Sequence, residues 1–222
     1  MGTAGRIAAG LAALLVVLLA VAQLVLPKVA ADRISERIGR YGSAESVSVS
    51  AWPAVELLWK QADTVKVRIR SIDIGLAESA KLVWESQGAA RMDVSVGSVR
   101  EAGIKLRDAV LHKRGERLFA EAQMSGEDVR AALPPGFDVT LVSSDAGRVI
   151  VRASGGLFGL GASVEAAAEG SEGRLVAHPL GRFGGLRLTF FSDPHIYIEG
   201  VGASVLSQSP LRYRITLTGR LR

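Results

Sequence analysis

The sequence predicts an α+β fold, a few helices and a long antiparallel meander of strands behind an apolar N-terminal segment. Three observations predict it. Residues 7–26 (IAAGLAALLVVLLAVAQLVL) carry no charge, and about 20 apolar residues match the hydrocarbon thickness of a bilayer. Residues 27–40 repeat apolar positions at helical spacing. Beyond them apolar and polar residues alternate in short runs broken by glycine, the period of half-buried strands.

Composition narrows the classes. The chain has 222 residues, 48% of them hydrophobic and only 5% aromatic, so Val, Ile, Leu and Ala must fill the core. Cysteine is absent, which excludes disulfides, thiolate metal sites and a cysteine-linked lipid. Asparagine is absent too, which excludes N-glycosylation. The net charge is +5, and the basic residues are spread along the chain, often at every second position of a strand. A solvated strand face explains that spread. Basic stripes interleaved with stacking aromatics are not visible along the sequence, so no nucleic acid is expected as a partner.

The apolar segment has two readings. Arg6, the apolar centre and Ala20-Val21-Ala22 resemble a cleavable signal peptide. The run continues through Leu24, Val25 and Leu26, beyond that cut, which favours an uncleaved transmembrane anchor over residues 1–26 with one domain over 27–222. Lys28, Arg33, Arg37 and Arg40 follow closely, and the positive-inside rule would place the domain in the cytoplasm.

The elements follow in order. Residues 27–40 form a helix whose face carries Ala30, Ile34, Ile38 and Tyr41, with Gly39 and Gly42 as a stop. Residues 45–51 form a short strand with Val47 and Val49 on one side. Trp52-Pro53 opens a short helix, proline being tolerated in a first turn, with Val55, Leu58 and Trp59 as its buried side. Residues 64–74 (TVKVRIRSIDI) are the clearest strand. Residues 76–86 place Leu76, Ala80 and Trp84 at helical steps. Strands follow over 92–96, 104–113 and 117–124. A brief helix over 125–133 is capped by Ser125 with Asp128 in the reciprocal position and ends at Pro134-Pro135-Gly136. Residues 137–143 and 148–153 flank Asp145-Ala146-Gly147 as a hairpin. Strands over 162–168, 174–178, 186–190, 196–200 and 211–221 complete the chain. A long sheet with one apolar face must curl, close or be covered.

Chemistry is sparse. His112, His178 and His195 have no partners at zinc-ligand spacing, and no G-x-S-x-G elbow is present. The stretch 155–161 (GGLFGLG) lacks the ending of a phosphate-binding loop. Its Leu157, Phe158 and Leu160, like Arg182-Phe183-Gly184-Gly185, would suit a lipid surface or an ordinary turn. No catalytic residue, metal ligand or cofactor is expected, and the chain is not read as an enzyme. What stands out is the amount of one-sided apolar strand. Alternation nominates Val65, Val67 and Ile69, then Val94 and Val96, then Ile104 and Leu106. It also nominates Leu188 and Phe190, Ile196 and Ile198, and Tyr213, Ile215 and Leu217. These would line an apolar groove for an acyl chain, or pack as a plain core.

The N-terminal stretch PKVAADRISERIGRYG, the Trp52-Pro53 step, IKLRDAVLHKRGERLFAEAQMSGEDVRAAL, GRVIVRAS and LVAHPLG together resemble the LmeA-like family of actinobacterial phospholipid-binding envelope proteins. The resemblance covers most of residues 27–222 and rests on strand, cap and turn patterns. It implies a tubular lipid-binding type of fold, a strongly curved antiparallel sheet wrapped around a long N-terminal helix. It further implies an extracytoplasmic site beside the cytoplasmic membrane, a phospholipid or related glycolipid as partner, and a role in envelope lipid homeostasis. The alternatives are a non-catalytic interaction module with a fully packed core, and an envelope hydrolase with a dispersed active site.

Overall fold

Strands occupy 62% of the chain and helices 22% in the computed structural model. The backbone described is that of residues 3–59, 61–101, 104–131, 136–157, 160–181 and 185–222. The side chains of 3–17, 20, 55, 76, 101, 156–157 and 160–162 lie outside the description. Outside it too, in whole or part, fall the expected stop at Pro134-Pro135, the glycine-rich stretch 155–161 and Arg182-Phe183-Gly184.

The strands divide into two sheets. β1 (Gly42–Ser50), β2 (Ala62–Asp73), β3 (Ala89–Glu101), β4 (Ile104–Arg114) and β5 (Arg117–Ser125) belong to the larger one. β6 (Phe137–Asp145), β7 (Arg148–Leu157), β8 (Leu160–Ser171), β9 (Arg174–Pro179) and β10 (Leu188–Phe191) form the smaller one. β11 (Ile196–Gln208) and β12 (Leu211–Leu221) return to the first, giving a seven-stranded order β1-β2-β3-β4-β5-β12-β11 and a five-stranded order β10-β9-β8-β7-β6. The antiparallel meander needs one correction. β2 and β3 pair in parallel, joined by helix α2 (Leu76–Glu85) as a crossover, because a parallel pair cannot be closed by a tight turn.

β11 joins the sheets. It pairs along β12 and meets the hairpin tips of the smaller sheet: the Ile198 N–H donates to the Gly173 carbonyl at 3.0 Å and the Val201 N–H to the Gly147 carbonyl at 2.9 Å. Ala203 N–H donates to Ser144 Oγ at 2.9 Å. The hairpin expected at Asp145-Ala146-Gly147 is present, with φ of 51° at Ala146 and 78° at Gly147. Backbones approach so closely here that a Cβ on Gly170 would stand 2.8 Å from the carbonyl of Glu199.

The wrapped-helix architecture is corrected. α1 (Thr3–Gly39) lies against β1 and the 3-10 helix Ala54–Trp59, at one edge of the seven-stranded sheet. Its Ala30, Ile34 and Ile38 pack on the core as their spacing predicts, and Ala31 packs beside them. The apolar stripe is narrow, with Asp32, Arg33, Glu36 and Arg37 exposed, so this helix can bury one side only. The result is a mostly β fold in two sheets.

The spanning anchor is corrected as well. Among the described residues no helix is long and apolar enough to cross a membrane. One helix runs on through Pro27, and the apolar run is tied to the domain before it ends. Gln23 Nε2 donates to the Ala51 carbonyl at 3.1 Å, and Gln23 Oε1 accepts from the Ala54 N–H at 2.8 Å. The single-pass membrane placement drawn from residues 7–26 is therefore not supported among the described residues.

A smaller correction concerns residues 54–59. Leu58 and Trp59, expected inside, are 64% and 68% exposed, while Ala54 is buried and Leu57 packs on the core. A 3-10 helix repeats every three residues, so 54 and 57 share the inner face. The expected spacing assumed 3.6, and the side chain of Val55 lies outside the described residues. The short helix α3 (Gly126–Ala131) follows its predicted cap: Ser125 Oγ accepts from the Asp128 N–H at 3.1 Å.

Candidate functional site

A continuous apolar strip crosses the large sheet. Val67 pairs with Val94, Val94 with Leu111 and Leu111 with Ala120. Ala120 pairs with Leu217 and Leu217 with Val201. Directly paired residues share a face, so six neighbouring strands contribute to one row. Rows beside it carry Val65 with Met92 and Ile69 with Val96, Ala122 with Ile215 and Met124 with Tyr213.

Most expected lining residues meet on this face. Val65, Val67, Ile69, Val96, Ile196, Ile198 and Tyr213 are buried. Val94, Ile104, Leu106, Ile215 and Leu217 are half-buried. The structure does not bring Leu188 and Phe190 to it. They sit on β10, the edge of the other sheet, and are 67% and 59% exposed.

Alternation did not nominate Leu111 or Ala120, and for Leu111 the reason is local. Asp108 adopts φ 48°, and the β4–β5 register shifts between Arg107 and Val110. This bulge inserts one residue, so Leu106 and Ala109, three apart, face the same way. Strict period-2 counting from Ile104 loses the phase there.

The strip is covered at its flanks. At the β1–β2 side lie the four α1 residues already named and Leu57. α2 sends Leu82 to that cluster, and Ala80, Val83 and Trp84 to a second one with Leu118, Ile196, Ile198 and Leu221. An ion pair between Arg37 and Glu85 ties the two helices. Ile104, Leu106 and Ile215 are half-buried and belong to neither cluster.

Polar groups border the strip. Lys113, on the same face, is 1% exposed. Its Nζ donates to the Gln87 carbonyl at 3.3 Å and to that of Ala89. Burial pushes its pKa below the usual lysine value. Burial also raises the Tyr213 hydroxyl, reinforced by the charge of Asp138 and opposed by Arg130.

The histidines stand apart from one another. His112 Nδ1 lies 2.6 Å from Asp93, and that contact, then Arg114, holds the Asp93 carboxyl below its ordinary value. His178 lies 3.9 Å from Glu169. His195 lies 3.5 Å from Asp193, stacked on Trp84 at 4.3 Å. Among the described residues no group of three His, Asp or Glu side chains could hold a metal. A shallow cleft of about 390 Å³ at the sheet junction is lined by Ser144, Asp145, Thr216, Thr218 and the crossing glycines, without a histidine or a buried charge.

No protein-family model, curated protein or solved structure matches this chain.

Proposed function

We propose that the chain binds an acyl chain of a phospholipid or related glycolipid along the strip, holding or passing it without chemistry on it. The observation that carries this reading is the half-buried apolar stretch from β3 to β12. Three inter-strand spacings of about 4.8 Å make roughly 14 Å, close to half of a bilayer's ~30 Å hydrocarbon. At roughly 0.8 kcal/mol per buried methylene, a chain of about 16 carbons contributes on the order of 12 kcal/mol before entropic costs. Shape and apolarity suffice for such a ligand.

The test is native mass spectrometry with lipid extraction on the full chain purified without detergent. A stoichiometric lipid is expected, and Leu106→Gln with Ile215→Gln should reduce its occupancy about tenfold or more by placing amides against the chain. Both positions lie outside the buried clusters, so the variant should lose no more than about 2 kcal/mol of stability. A clean apo mass that persists after incubation with phosphatidylcholine liposomes would sink the reading, as would unchanged occupancy in the folded double variant.

A further inference from the structure

Four arginines stand side by side on the other face of the large sheet, two of them (Arg114 and Arg117) facing each other across the β4–β5 turn and two brought in from elsewhere in the sequence. Arg91 pairs with Arg114, Arg114 with Arg117, and Arg117 with Arg220. Their neighbours Met92, Lys113, Leu118 and Leu221 are buried on the strip side, while the arginines are exposed. At about 4.8 Å per strand the row runs roughly 14 Å. Like charges placed directly opposite one another destabilise a sheet, so folding alone does not call for this row. Arg114 reaches Asp93 at 2.7 Å and Arg220 reaches Glu199 at 3.7 Å. Among the described residues Arg91 and Arg117 have no ion-pair partner. The row ends at Tyr197, which pairs with Arg220.

We propose that this row is a docking surface for the phosphate headgroups of an anionic lipid layer. Guanidinium groups match phosphate oxygens bidentately, and a row with one arginine on each of four adjacent strands offers several of them to neighbouring headgroups. The neighbouring rings argue against a nucleic acid. Arg220 and Arg222 lie over the Tyr197 ring at 4.9 and 4.5 Å, and His112 stacks with Phe119 at 6.3 Å. A single strand needs free ring faces for its bases, and one face of each of these rings is already taken by an arginine or by the other ring. Docking of this kind needs no spanning segment. It uses the face opposite the strip and does not rest on acyl binding.

The full chain is floated with vesicles of phosphatidylcholine alone, and of phosphatidylcholine with one-third phosphatidylglycerol. Capture by the anionic vesicles is expected at low salt and should weaken as the Debye length shortens to about 10 Å at 0.1 M. Arg91→Glu with Arg117→Glu should weaken it at least about tenfold, with an unchanged circular dichroism spectrum. Lipid occupancy of the strip should persist in this variant, which separates failure of docking from failure of acyl binding. Equal capture of the folded variant, equal capture by neutral vesicles, or preferential capture of a single-stranded oligonucleotide would overturn the proposal.

Discussion

Gly170→Val is expected to lower stability by about 2–4 kcal/mol, read as a shifted urea midpoint with little change in slope. The reason is geometric. A Cβ at Gly170 meets the Glu199 carbonyl carbon and oxygen at 2.8 Å and the Ile198 oxygen at 3.0 Å, all of them backbone. No rotamer can relieve that contact, so the β8–β9 tip must part from β11. The hydrogen bond from Ile198 to Gly173 should be lost with it, visible as faster exchange of the Ile198 amide. Gly39→Ala is the control. Nothing lies within 4 Å of its added Cβ, so its effect should stay within a few tenths of a kcal/mol to about 1 kcal/mol. A valine tolerated at 170 would mean that the sheets are not joined at this crossing.

Lys113→Ala is expected to cost about 2–5 kcal/mol, from a lost stem and two carbonyls left without a donor. Lys113→Met keeps most of the stem and should cost about 1–3 kcal/mol. The pH dependence identifies the cause. Burial lowers the folded-state pKa below the usual 10.5. Between the two values the unfolded chain binds more protons, so stability contributed by Lys113 rises with pH through the folded value and levels off above 10.5. Urea titrations from neutrality upward should show the wild type gaining on the methionine variant. A constant difference would mean that the ammonium is better solvated than its burial implies.

The acyl-site and arginine-row tests address opposite faces of one sheet. Ile215 and Leu217 alternate along β12 with Thr216 and Thr218, and Leu221 with Arg220. That alternation is legible in the sequence, and most of the residues it nominated share one face, although Leu111, Ala120 and Val201 of the same row were not among them. It failed where local geometry broke the period: at the Asp108 bulge, which reverses the phase, and in the 3-10 helix, which repeats every three residues. Leu188 and Phe190 alternate as convincingly as Ile196 and Ile198, yet they lie at an exposed edge. Sequence period reports the face within a strand, not the sheet to which the strand belongs.

The sequence by itself determined the local elements: the α1 face through Ala30, Ile34 and Ile38, the Ser125 cap, the Asp145–Gly147 hairpin, and the in–out pattern of β2 and β12. These follow from interactions within a few residues, whose periods and dihedral preferences are written into the chain. Only the tertiary structure decided that β2 and β3 run parallel, that β11 joins two sheets, and that α1 lies at an edge instead of inside a wrapped sheet. It alone brought Arg91 and Arg220 into one row with the Arg114–Arg117 hairpin pair and tied Gln23 to the Ala51–Ala54 turn. Such pairings depend on which strands become neighbours across long sequence separations, and a single strand's alternation is compatible with many neighbours.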